Sequence, residues 1–161
     1  MKKLDAGNLK DLNLLKHYRI IRKWACKNNS LRESDLELLI YLDCIDLFTK
    51  KDFEAGVYSY SWDNRRWSRL IKENWITVWR KRNRTTQTYN IYKVSFKGKQ
   101  LINRIYKIML GDEKIPTSSR RNKIINGKSY MDKVLTKSIK NVNKDTLWFH
   151  SWTSEDLLVG Y

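Results

Sequence analysis

Apolar residues recur at three- and four-residue steps over positions 9–27, where Leu9, Leu12, Leu15, Tyr18, Ile21, Trp24 and Ala25 share one side of a helical projection. This spacing predicts an amphipathic helix that ends at the asparagines Asn28 and Asn29. The following run, LRESDLELLIYLDCID, predicts a second helix with Ser34 as its cap and Leu36, Leu39, Ile40 and Ile45 on a buried side. It carries little positive charge. Thr49 then caps a brief third helix, TKKDFEAG, closed by Gly56.

A fourth helix is expected up to about residue 73, capped by Ser61 or Asp63, with Trp67, Leu70 and Ile71 on its inner side. Asn74 suits a left-handed terminating position, after which the chain turns extended. The runs WITVW and YNIYKV are β-branched and aromatic and flank RKRNRTTQT, which holds no apolar residue. They predict a hairpin with a long basic tip. Ser95 caps a fifth helix over about 96–110, with Leu101, Ile102, Ile105, Tyr106 and Met109 inward and Gly111 at its end.

Beyond Gly111 the pattern lapses. The stretch DEKIPTSSRRNKIINGKS contains the single proline and reads as an exposed connection. A short helix over about 129–141 follows, with Tyr130, Val134, Leu135 and Ile139 in one stripe, and then the aromatic tail TLWFHSWTSEDLLVGY. That tail either straps over the protein's own core or inserts into a partner or second subunit. No internal repeat is present. The expected fold is mainly α with a small β-hairpin (α+β), with one body over 1–111 and a C-terminal extension over 112–161.

Charge changes the picture. The 161 residues carry a formal net charge of +16 with 41% hydrophobic residues, which excludes a wholly disordered chain and points to a polyanionic partner. Nucleic acid is the first candidate and an anionic membrane surface the second. Between Asp63 and Lys107, thirteen basic residues face two carboxylates. On a helical wheel of the fourth helix, Arg65, Arg69 and Lys72 gather opposite Trp67, with Arg66 and Ser68 flanking.

Such a basic face fits a major groove about 12 Å wide, where arginine pairs bidentately with guanine or phosphate. The hairpin cations Arg80, Lys81, Arg82 and Arg84 are placed to reach the backbone or an adjacent minor groove. Candidate duplex contacts are therefore Trp62, Asn64, Arg65, Arg66, Ser68, Arg69 and Lys72 from the helix, and Arg80, Lys81, Arg82 and Arg84 from the hairpin. The alternative for both clusters is a solvated surface. Trp62, Trp67, Trp75 and Trp79 serve a core or hinge, or else stack on single-stranded bases, and Tyr58 and Tyr60 pack or touch phosphate.

Two motifs carry a family resemblance. LIKENWI stands where a helix end, a turn glycine and a strand start are found, and YKVSFKGKQLI follows a pattern of Tyr, apolar residue, Thr or Ser, basic residue, Gly and helix. Over about residues 9–111 the chain resembles the winged helix-turn-helix of MarR-type regulators, with Asn74 in place of the turn glycine and Ser95 in place of threonine. The resemblance implies that residues 61–73 are the recognition helix and 80–88 the wing, and that terminal helices form a homodimer. It has no counterpart for the residues after Gly111.

The leading expectation is a double-stranded DNA-binding protein acting as a transcriptional regulator. The alternative is a phage structural or architectural protein that docks into an assembly through its aromatic tail, consistent with a Lys-, Asn- and Ile-rich composition. Catalysis is not expected. No paired-carboxylate site, glycine-rich phosphate loop, H-E-x-x-H or nucleophile and histidine at motif spacing is present, and no cofactor or metal is called for. Cys26 and Cys44 read as reduced thiols, and His17 and His150 as packing residues. No window reaches the ~18 apolar residues of a membrane span, and the N-terminus lacks a signal peptide's apolar core. The expected location is the cytoplasm of a bacterium or of an infected bacterial host, or else a virion.

Overall fold

The order of elements in a computed structural model is α1 (Ala6–Asp11), α2 (Leu14–Asn29), α3 (Glu33–Ile45), β1 (Leu47–Phe48), α4 (Lys50–Val57), α5 (Asn64–Lys72), β2 (Ile76–Asn83), β3 (Thr88–Val94), α6 (Phe96–Met109) and α7 (Tyr130–Asp156). The structure describes residues 5–11, 13–57, 64–83 and 88–156. The chain groups into two compact units, Met1–Leu31 with Arg104–Tyr161, and Arg32–Asn103.

The central unit is built on a three-stranded antiparallel sheet in the order β1-β3-β2. The sequence predicts only the hairpin; the third strand is the two-residue β1, which pairs Leu47 with Lys93 and Phe48 with Tyr92. So short a strand leaves no periodicity to read. The hairpin itself runs further than its hydropathy suggests. Arg80, Lys81, Arg82 and Asn83 pair with Ile91, Asn90, Tyr89 and Thr88, so these basic residues are strand and not tip. Backbone pairing does not require apolar side chains where both faces of a ribbon meet water.

Local chemistry sets the element boundaries. Thr49 occupies the N-cap position of α4: its carbonyl accepts the Phe53 N–H at 3.3 Å, and the Asp52 carboxylate reaches back to accept from the Thr49 N–H and hydroxyl, at 2.8 and 3.1 Å. Asn74, at φ 64°, ends α5 in a Schellman arrangement, with Trp75 N–H bonding back to Leu70 O (2.9 Å) and Asn74 N–H to Ile71 O (3.1 Å). Ser95 caps α6 by accepting the Gly98 N–H at 3.2 Å. A Cβ on Gly98 would lie 2.6 Å from Val94 Cγ1, so only glycine lets this first turn approach β3.

In the terminal unit, the single helix expected over 9–27 is two. Asn13, at φ 43°, breaks α1 from α2, a backbone that asparagine tolerates better than most residues. Leu15 is 81% exposed, and the buried stripe starts at Ile21 and continues through Trp24 and Ala25. The connection 112–129 is not simply exposed, because Ile115, Asn122 and Ile124 are buried. The Asn143 side chain on α7 accepts the Ile115 N–H and donates to its carbonyl, each at 3.0 Å. Asn122 donates to Pro116 O (2.8 Å) and accepts from Ile124 N–H (3.0 Å). Two amides thus replace the backbone ladder a regular element would supply.

Helix α7 runs well past the expected end near residue 141. The tail's aromatic side chains lie outside the described residues. Of the stripe assigned to this helix, Ile139 is buried whereas Tyr130 is 80% and Val134 40% exposed; Asp132, Val142 and Asn143 lie inward instead. Among the described residues, no helix is long and apolar enough to cross a membrane.

Candidate nucleic-acid interface

Helix α5 is held by an aromatic cage. Trp67 meets Phe53 of α4 and Tyr92 of β3 edge-on, each with ring centroids 4.7 Å apart, and lies 6.5 Å from Phe48 of β1. Phe48 also stacks on Tyr92 at 6.4 Å. Leu70, three residues further along α5, is fully buried as well. Edge-to-face contacts of this kind add to the area term and fix the rotation of α5 about its axis. At the C-terminal end of α5, Lys97 of α6 lies 3.9 Å above the Trp75 ring and donates to Glu73 O at 3.3 Å.

With Trp67 and Leu70 inward, the exposed positions are Arg65, Ser68, Ile71 and Lys72. Two expectations from the helical wheel change here. Ile71, expected inside, is 37% exposed. Arg69, expected outside with Arg65 and Lys72, has a side chain only 26% exposed because its Nη2 donates to Asp35 Oδ2 on α3 at 2.8 Å. Arg66 is drawn to the same carboxylate: its Nε lies 2.9 Å from Oδ1, close enough to pair as ions but too poorly angled for a hydrogen bond. A wheel of one helix contains no partner helix, so it cannot register a carboxylate that bends two arginines over the helix edge.

Asp35 itself was not among the expected site residues. It is 1% exposed and lies in register with the buried Leu38, Leu39 and Leu42 of α3. A carboxylate in a buried stripe demands compensation, and the two guanidiniums supply it. The readable signal was an acid at an apolar position of a helix, one turn ahead of two leucines.

The wing is β2 with β3. Its register shifts between Val78 and Arg80, which makes Trp79 an extra, bulged residue, 45% exposed. Cross-strand partners share a face of the pleat. Lys81 therefore lies on the face of Asn90 and Tyr92, and Asn90 Nδ2 bonds the Tyr92 hydroxyl at 3.3 Å on that side. Arg80 and Arg82 lie on the other face with Ile91 and Tyr89. All three cations are exposed. The expected wing cluster is thus divided between two faces, with only Lys81 on the side that Tyr92 turns toward Trp67.

The remaining candidates fall as follows. Trp62 and Arg84 lie outside the described residues, as do the side chain of Asn64, which opens α5, and Tyr58, Tyr60 and the caps Ser61 and Asp63. Trp67 and Trp75 are core residues, 6% and 1% exposed. Among the described residues, no cluster of His, Cys, Asp and Glu is arranged to hold a metal.

No protein-family model matches the chain. No curated protein matches it either. Among solved structures it is similar to wild-type apo MarR from E. coli (13% identity, covering 98% of this chain and 99% of that one, TM-score 0.42). It is similar to the reduced form of the same protein at 13% identity, 98% and 99% coverage and TM-score 0.43. A mutant MarR complexed with operator DNA aligns at 13% identity over 94% of this chain and 92% of that chain, with TM-score 0.42. Identity and superposition at these values assign no function to the chain. The order α3-β1-α4-α5-β2-β3, with the sheet closed by β1 and α5 packed on it, is by its own topology that of a winged helix-turn-helix.

Proposed function

We propose that the protein binds double-stranded DNA and regulates transcription, with α5 entering the major groove and the β2–β3 wing contacting the adjacent backbone. One observation carries the reading: a helix whose inward Trp67 is held by three aromatic rings turns Arg65, Ser68 and Lys72 outward, beside a strand bearing three exposed cations. In this role Arg65 and Lys72 reach base edges or flanking phosphates, and Ser68 is small enough to let the helix approach the groove floor. Arg80, Lys81 and Arg82 neutralise phosphates and supply affinity without sequence preference. The overall excess of positive charge steers the encounter.

Selection of bound duplexes from a random pool tests this directly, and an enriched palindrome would add that two copies bind together. On the selected duplex, Arg65→Ala is expected to cost about 1–3 kcal/mol and to relax preference at one position. Arg82→Ala should weaken all duplexes alike and reduce the salt slope by about one. Wild-type affinity in the triple variant Arg65→Ala, Ser68→Ala, Lys72→Ala would rule out α5 as the reading element.

A further inference from the structure

We propose that Asp35 is a positioning residue for DNA readout: it holds the Arg69 guanidinium in place so that the rest of that fork is presented from α5 already ordered. The inference rests on the reading of α5 as a duplex-binding helix.

Asp35 cannot meet DNA itself, being 1% exposed, and its charge lies under two arginines instead of facing phosphates. Its two oxygens are divided between them. Oδ1 takes Arg66, whose side chain is 13% exposed, and Oδ2 takes Arg69, which keeps 26%. Arg66 is thereby committed to the interior. Arg69 is different: guanidinium has five N–H donors in a rigid plane, and one of them, on Nη2, is spent on Asp35. A free arginine loses rotamer entropy when it binds, and one already clamped by a carboxylate has lost much of it beforehand. The clamp also fixes the plane of the fork, the property that distinguishes bidentate recognition of a guanine edge from a simple charge contact.

Stability alone is a poor reason for this arrangement. An apolar residue at position 35 would extend the buried stripe of Leu38, Leu39 and Leu42, and buried ion pairs are often matched or bettered by apolar packing. A carboxylate at that position suits a role in orienting charge on the neighbouring helix, where groups on an ordered scaffold read DNA more selectively than flexible ones.

The test is a double-mutant cycle, read as the ratio of affinity for the pool-selected duplex to affinity for a scrambled duplex of the same length and composition. Asp35→Asn is expected to lower this ratio about tenfold, the size of one good base contact, without weakening binding to the scrambled duplex. In an Arg69→Ala background the same change should move the ratio by less than about twofold, since its target is gone. An equal loss in both backgrounds, or no loss, overturns the proposal. Circular dichroism checks that each variant folds. If Asp35→Asn does not fold, Arg69→Lys asks the same question by keeping the charge and removing the fork, and an unchanged ratio there also overturns it. A wild-type protein that prefers no duplex sinks the functional reading and this inference together, whereas retained preference in the variants sinks the inference alone.

Discussion

The two units of the chain deploy buried polar side chains differently, although each buries a carboxylate: Asp35 in one, and Asp132, paired with Lys27, in the other. The central unit, Arg32–Asn103, buries a full charge, Asp35, and compensates it with two arginines from the helix that bears the candidate interface. The terminal unit fixes its 112–129 connection with neutral amides, Asn122 and Asn143, each bonded to backbone on both its oxygen and its nitrogen. A neutral amide satisfies backbone at little desolvation cost and leaves the surface charge alone. A buried carboxylate is costlier and draws cations toward itself, and Asp35 draws its two from the helix that bears the candidate interface. The contrast separates polar groups that hold the chain in place from polar groups that shape a surface.

The largest expected effect tests the anchored side of that contrast. Trp67→Ala removes the ring that Phe48, Phe53 and Tyr92 surround and should destabilise the central unit by about 3–5 kcal/mol in denaturant titration. Duplex binding should fall with it, as α5 loses its fixed rotation. Next comes Asn143→Leu, which keeps the volume of the side chain and orphans both the N–H and the carbonyl of the buried Ile115. With about 1–3 kcal/mol for each orphaned group, a loss on the order of 3 kcal/mol is expected in the same titration. At a temperature where this variant is folded, its duplex affinity should match wild type. A parallel loss of affinity would show that the amide staples also serve the interface.

What could be read from the sequence follows the same division. Many features set by one segment were legible: the left-handed Asn74, the Thr49 and Ser95 cap positions, the apolar faces centred on Trp67 and on Ile102 and Ile105, and the α+β class itself. Others were not: α3 starts after Arg32 without the expected Ser34 cap, α4 runs through Gly56 instead of closing there, and Asn13 breaks the first helix. Features set by a partner element were not legible. Strand β1 exists because β3 offers it an edge, and the pleat face of Arg80 or Lys81 follows from a bulge at Trp79 that no hydropathy pattern marks. Arg69 appeared as an outward cation because its helix was read alone, and the carboxylate that turns it sits 34 residues earlier. The 112–129 connection appeared solvated for a similar reason. Its polar residues include the asparagine that anchors it, and composition does not tell a solvated amide from a bonded one.

A smaller effect concerns the two helix ends closed by the same hydrogen-bond pattern with different residues. Asn74 (φ 64°) ends α5 and Gly111 (φ 83°) ends α6, where Asp112 N–H bonds to Lys107 O at 2.8 Å. Both positions need the left-handed backbone, so alanine at either should cost about 1 kcal/mol by thermal unfolding. Exchanging the residues, Asn74→Gly and Gly111→Asn, should change stability by less than about 0.5 kcal/mol each. A large loss for Asn74→Gly would mean that the asparagine side chain has a role in the central unit beyond tolerating its backbone.

The smallest effect distinguishes the units by acid. Ser129 caps α7: its hydroxyl accepts the Asp132 N–H at 3.1 Å and donates to Asp132 Oδ2 at 2.7 Å, and the same carboxylate pairs with Lys27 at the end of α2. The hydrogen bond from Lys27, followed by that from Ser129, holds the Asp132 carboxyl below its ordinary value of 3.8, against an opposing push from burial. A carboxyl with a depressed folded-state pKa adds stability that is fully present above the unfolded value. That stability is lost as pH falls through the folded value. Asp132→Asn should therefore flatten the dependence of stability on pH below about 4, leaving a variant less stable than wild type at neutral pH and closer to it in acid. Amide exchange localises the effect. Acid should loosen the first turn of α7 in wild type while α5 amides stay protected, and Asp132→Asn should remove that selectivity, since its first turn is already weakened at neutral pH. Equal loosening of α5 and α7 in wild-type acid would show that the two units do not respond separately.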